Sequence, residues 1–218
     1  MKFLAEPRSG SQAGTTSSHN RFGQYTRNRS IPVNPRSTQQ GTVRARLAAN
    51  AAAWRALTSN QRAGWSDLAI SMNRSDALGQ SYSLTGFLAY VSVNNNNVAA
   101  GNATVTDAPA LVTPPSLLTA LITLTAASMS IAYTVTPLAA GNRLFSYVSP
   151  QRSAGVSFEG DFRLLAVSAA AAASPAVLLT AYTAKFGVPV VGNRIFFSFR
   201  VYATGFLSGP LTTSQVVS

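Results

Sequence analysis

Two stretches in the second half of the chain limit what it can become. Met129, Ile131, Tyr133 and Val135 alternate with small or polar residues, and Ile195, Phe197, Phe199 and Val201 recur at the same period of two, with Phe196, Ser198 and Arg200 between them. A period of two puts successive side chains on opposite faces of an extended strand, so each stretch predicts a strand with one buried face. With these two, the candidate strands are 117–123, 128–136, 143–150, 162–168, 176–183, 194–204 and 211–217. Gly141-Asn142, Gly187, Gly192-Asn193 and Ser208-Gly209-Pro210 fall between them and supply turn chemistry.

About seven short strands in roughly 100 residues predict a two-sheet sandwich over 115–218. The expected type is immunoglobulin-like. It is closer to fibronectin type III modules than to antibody domains, because the chain has no Cys to make the inter-sheet bridge.

The first half follows a different period. Ser37 with Gln40, and Thr58 with Gln61, have capping-box spacing. Between them Val43, Leu47, Ala51, Trp54 and Leu57 recur at helical spacing, with Arg44, Arg46 and Arg55 largely off that stripe. A second helix carries Trp65, Leu68, Ala69 and Met72. The expected hairpin has Trp54 packed against Trp65. A third short helix follows, capped by Thr85 or Ser83, with Phe87, Leu88, Tyr90 and Val91 as its apolar set. The Asn94 to Asn97 run, then Gly101, Asn102, Asp107, Pro109 and Pro114, read as turn and loop chemistry.

Residues 1–37 have few large apolar side chains. Such a segment cannot offset its own ordering entropy by burial. Within it, 22–27 suits a short strand or hairpin edge. Ile31-Pro32-Val33-Asn34-Pro35 must be extended, since each proline pushes its predecessor out of the helical region. The expected organisation is α+β and multidomain: an extended basic arm over 1–37, a helical domain over 38–94, a linker over 95–114 and the sandwich over 115–218.

Charge is concentrated at the front. The chain has 17 Lys+Arg against 6 Asp+Glu, a net charge of +11. Residues 1–80 hold ten Arg and Lys2 against Glu6, Asp67 and Asp76. Residues 81–218 hold five Arg and Lys185 against Asp107, Glu159 and Asp161. Arginine's planar fork makes bidentate contacts and tolerates desolvation, so an Arg-rich surface suits protein interfaces as well as phosphates. The candidate partner-binding residues are Arg8, Arg21, Tyr25, Arg27, Arg29 and Arg36 in the arm and Arg44 and Arg46 in the first helix.

Catalytic chemistry finds little to work with. A chain with no Cys and only His19 excludes a Cys/His zinc site and a thiol nucleophile. Glu159 and Asp161 are the closest carboxylate pair, and their Gly-flanked setting reads as a solvated loop. Neither a Walker loop nor a dinucleotide fingerprint is present. A non-enzyme without metal or cofactor is expected. No apolar run reaches the 18 or so residues of a membrane span. The opening Met-Lys-Phe-Leu-Ala meets Glu6, Pro7 and Arg8 too soon for a signal-peptide core, so the expected compartment is the one where the chain is made.

Several stretches together carry a resemblance. They are Gly23-Gln24-Tyr25-Thr26-Arg27, Pro32-Val33-Asn34-Pro35-Arg36-Ser37-Thr38-Gln39-Gln40 and Val43-Arg44-Ala45-Arg46-Leu47, followed by Ala53-Trp54-Arg55-Ala56-Leu57-Thr58 and Gln61-Arg62-Ala63-Gly64-Trp65. The combination resembles a family of bacteriophage and prophage proteins. Leu78-Gly79-Gln80 and Leu84-Thr85-Gly86-Phe87 extend it, so that it covers about residues 20–95. The resemblance implies a particle component and supplies no catalytic residue.

The expected function is therefore that of a virion structural protein. It would be made in the bacterial cytoplasm and assemble with copies of itself and with major capsid, tail or neck subunits. A head decoration or other head-associated place is favoured over tail, neck or collar. The alternatives are a DNA-binding protein using the arm and a host-surface adhesion module using the sandwich.

Overall fold

A computed structural model describes residues 8–31, 33–34, 37–75 and 78–218. The chain is mixed α and β, with antiparallel sheets and, among the described residues, four helices. It divides into two compact units, Met1–Arg44 and Ala45–Ser218.

The first unit is built on a three-stranded meander: β1 (Gly10–Gln12), β2 (Thr15–Asn20) and β3 (Gly23–Asn28). The arm is thus paired sheet over these residues rather than a single extended run. Its strands are mostly Ser, Thr, Asn and Gln, and Ser and Thr hydroxyls join across the pairs: Ser11 to Thr16 at 2.8 Å and Ser17 to Thr26 at 3.3 Å. The unit ends inside α1 (Thr38–Ala56). Pro32, Pro35 and Arg36 lie outside the described residues.

In the second unit, the helices α2 (Ser59–Ser71) and α3 (Gly86–Ala99) are joined through the short hairpin of β4 (Arg74–Ser75) and β5 (Ser81–Tyr82). The strands β6 (Thr119–Leu124), β7 (Met129–Thr134), β8 (Arg143–Val148), β9 (Arg152–Ser153) and β10 (Arg163–Val167) follow. The chain closes with β11 (Ala176–Val177), α4 (Leu179–Phe186), β12 (Asn193–Ala203), β13 (Phe206–Leu207) and β14 (Leu211–Val216).

The larger sheet is organised by β12, which pairs with β8 and β9 along one side and β14 and β13 along the other. Strand β10 lies beyond β8. The smaller sheet runs β11-β7-β6. The period of two works as expected: Ile195, Phe197, Phe199 and Val201 from one sheet are buried with Met129, Ile131 and Tyr133 from the other in a single core. Val135 lies beyond the end of β7 and is exposed.

Segment 176–183 departs from its expected strand. After two strand residues it turns into α4, because Leu178 and Tyr182, four residues apart, both fill the core end on helical spacing. Tyr182 lies 5.0 Å from Phe186, centroid to centroid.

The helices form a second core of Leu57, Trp65, Leu68, Ala69, Ala89, Tyr90 and Val93. Thr58 and Gln61 make the full reciprocal cap of α2, at 3.3 and 3.0 Å. Thr85, not Ser83, caps α3. The two tryptophans do not form the expected pair. Tyr90 of α3 sits between them, 5.5 Å from Trp54 and 5.1 Å from Trp65, and Trp54 also meets Phe87 edge-on.

The asparagine run is not loop. Asn94 to Asn97 lie within α3, with Asn94 and Asn97 buried. Burial is satisfied because Asn94 mimics a strand neighbour: its side chain donates to the Val105 carbonyl at 3.1 Å and accepts the Val105 N–H at 2.7 Å. Only the part of the expected linker beyond Ala99 is irregular, and Trp65 Nε1 ties it down through the Thr106 carbonyl at 2.8 Å.

Helices and strands lock together at the β12–β13 turn. Thr204 and Gly205 take φ of +48° and +90°, the left-handed pair that a tight hairpin turn requires. Phe206 then enters the helical core. Asn96 donates to the Gly205 carbonyl at 2.8 Å. On the outer face of the sheet, Phe145 and Tyr202 pack with Ala100, just past the end of α3.

Candidate partner-binding surface

The arm presents its charge from a sheet with no core. In the β2–β3 pairing Tyr25 faces Ser18 and Arg27 faces Thr16, so Tyr25 and Arg27 share one face. His19 pairs with Gln24 on the other. The turn between these strands is set by Asn20, whose side chain accepts the Phe22 N–H at 2.9 Å, and by Gly23 at φ +112°. It holds out Arg21 and Phe22, with the guanidinium 4.8 Å above a ring that is 77% exposed. Arg29 follows β3 and donates its backbone N–H to Gly14. Arg8 precedes β1 and donates its N–H to the Gln24 side chain. Arg8, Arg21, Tyr25, Arg27 and Arg29 are all exposed. Arg36 lies outside the described residues.

The first helix repeats the theme. Its stripe is buried only at the C-terminal end, where Leu57 is 7% exposed. Residues 41–49 are all exposed, with Val43 at 55% and Leu47 at 51%. At about 100° per residue, Arg44 and Arg46 stand on opposite flanks of the Val43–Leu47 line. The N-terminal cap is half made. Gln40 N–H reaches Ser37 Oγ at 3.3 Å, while Gln40 Oε1 has no partner among the described residues.

Among the described residues, the ion pairs are Arg152–Glu159 and Arg163–Asp161, far along the chain from the arm. The arm and α1 arginines therefore have no carboxylate partner among those residues. Glu159 and Asp161 are thus engaged in two separate pairs. Each carboxylate is neutralised by its own arginine. The Arg152 hydrogen bond, followed by the N–H groups of Asp161 and Gly160, holds Glu159 below the ordinary carboxylate range. No three His, Asp or Glu side chains converge among the described residues.

Unit Ala45–Ser218 carries a polar cleft of about 560 Å³, lined in part by Arg74, Arg200, Asn73, Ser92 and Thr113. Sequence reasoning missed it, because its walls come from segments far apart in the chain. The exposed half of the α1 stripe was also missed, since periodicity reports which residues share a face and not whether anything covers it. Comparison with protein-family models, with curated proteins and with solved structures returns no match.

Proposed function

We propose that this chain is a structural component of a bacteriophage particle, assembling through its basic arm and the exposed first half of α1. A head-associated place, such as decoration, is the favoured position. The finer reading of the two facing sheets is an immunoglobulin-like module standing apart in function from the arm. One observation carries the proposal. Among the described residues, none before Trp54 belongs to any hydrophobic cluster, yet 10–28 and 38–53 are regular strand and helix. Isolated sheets and helix ends of this kind are marginal in water and gain stability from a neighbour. The uncovered Val43 and Leu47, flanked by Arg44 and Arg46, suit a partner face with an apolar strip and acidic borders.

The test is mass spectrometry and imaging of purified particles, comparing the full chain with a form lacking residues 1–36. The full chain should appear at a symmetric copy number. The shortened form should fold and fail to incorporate. Normal incorporation of the shortened form contradicts the arm's role.

DNA binding is the second reading. It is favoured by nine Arg and no Asp or Glu between Pro7 and Ser66. It predicts duplex affinity that falls steeply with salt and is lost in the Arg27→Ala, Arg29→Ala double variant.

A further inference from the structure

The smaller sheet has a solvent face that carries no charge. Residues 108–142 contain no Asp, Glu, Lys, Arg or His, and neither do residues 164–184. Strands β6 and β7 come from the first run and β11 from the second. Alternation sends Leu124, Met129, Ile131 and Tyr133 into the core. The opposite face is made of Thr119, Leu121, Thr123, Ala132, Thr134 and Val177, all exposed. Leu121 is 72% exposed and Val177 74%. Sheet faces and edges left in water normally carry charges, above all Lys, that stop sheets from meeting. This face has none, in a chain of net charge +11.

We propose that the β11-β7-β6 face is a self-association surface, occupied by the same face of a second copy of this chain. The charge distribution selects that occupant. Two molecules at +11 repel each other wherever their arginines face, and this is a surface on which they meet without juxtaposing like charges. An acidic partner or a nucleic acid finds nothing on it to pair with. Thr and Ser hydroxyls between the apolar side chains serve the closing hydrogen bonds. The contact is small. Two strands of six residues and the two-residue β11 cover less than about 14 by 20 Å, well below the roughly 800 Å² per partner of a standard interface. The dimer is therefore weak in solution and gains strength when many copies are held together. This inference does not rest on the particle reading or on the arm.

Sedimentation equilibrium of the full chain, over a range of protein and NaCl concentrations, tests it. Association through an uncharged face strengthens with salt, because screening weakens the net repulsion between the two molecules. Contacts made by arginine with carboxylate or phosphate weaken instead. The expected result is a monomer–dimer equilibrium that shifts toward dimer as salt rises. Leu121→Arg should raise the dissociation constant about tenfold or more while leaving the thermal transition in place, and Thr123→Lys serves as the second variant. A chain that stays monomeric at all salts overturns the proposal. So does a dimer indifferent to both substitutions, or association that weakens with salt, which would move the contact to the arm.

Discussion

A Cβ added at Gly205 would lie 2.5 Å from Val93 Cγ1 and 3.1 Å from the Asn97 side chain, on a backbone at φ +90°. Gly205→Ala thus meets both a steric and a conformational penalty. We expect a loss of about 1–3 kcal/mol in urea unfolding, partly recovered when Val93→Ala is added, since that second change relieves the clash but not the φ. Tyr202 is the polar counterpart. Its hydroxyl donates to buried Asn97 Oδ1 at 2.7 Å and accepts from Asn102 Nδ2 at 2.9 Å. Tyr202→Phe leaves that amide oxygen without its donor and should cost about 1–3 kcal/mol by the same measurement. Tyr182 sets a pH limit. Burial pushes its hydroxyl up to about 12 from an ordinary 10.0. The folded state holds this proton more tightly than the unfolded one. The resulting stability is complete below pH 10 and is lost as pH rises toward 12. In Tyr182→Phe the alkaline decline of the melting temperature should be shallower.

At the scale of elements, the strands were legible where one face meets the core and the other meets water or a helix: β7, β8, β10, β12 and β14 fall within a residue or two of their sequence-derived ranges. Helices α1 and α2 were legible from their caps and stripe. Thr58→Ala removes the Oγ that accepts the Gln61 N–H and should lower stability by about 0.5–2 kcal/mol in thermal or urea unfolding. Segment 176–183 was not legible, because a short apolar run fits strand and helix equally until its neighbours are known. The Asn94 to Asn97 run misled for a related reason. Asparagine favours turns when its amide must find local partners, and here the partners are Val105 and Gly205, supplied by distant chain. Of the candidate surface, the residue types could be read in advance. Strand spacing alone sets Tyr25 and Arg27 on one face, but the register that pairs them with Ser18 and Thr16 could not be read, since a Ser/Thr sheet has no apolar alternation to announce it.

For the molecule as a whole, Ala45–Ser218 is one compact unit in which helical and sheet cores touch through Phe206 and Tyr202. We expect one cooperative transition from this unit. Both tryptophans, Trp54 and Trp65, belong to the helices, so their fluorescence reports that half alone. Phe199→Ala, buried in the sheet core, should cost about 3–5 kcal/mol and move the tryptophan transition by the same amount as the far-UV signal. Two separated transitions would show that the halves unfold independently.

The wedge of the Thr204–Gly205 bend against Val93 also bears on descent. A crossover that exchanged helices between related genes anywhere in 100–118 would separate Val93 from the one bend shaped to receive it. Helices and strands of this unit should therefore be inherited together.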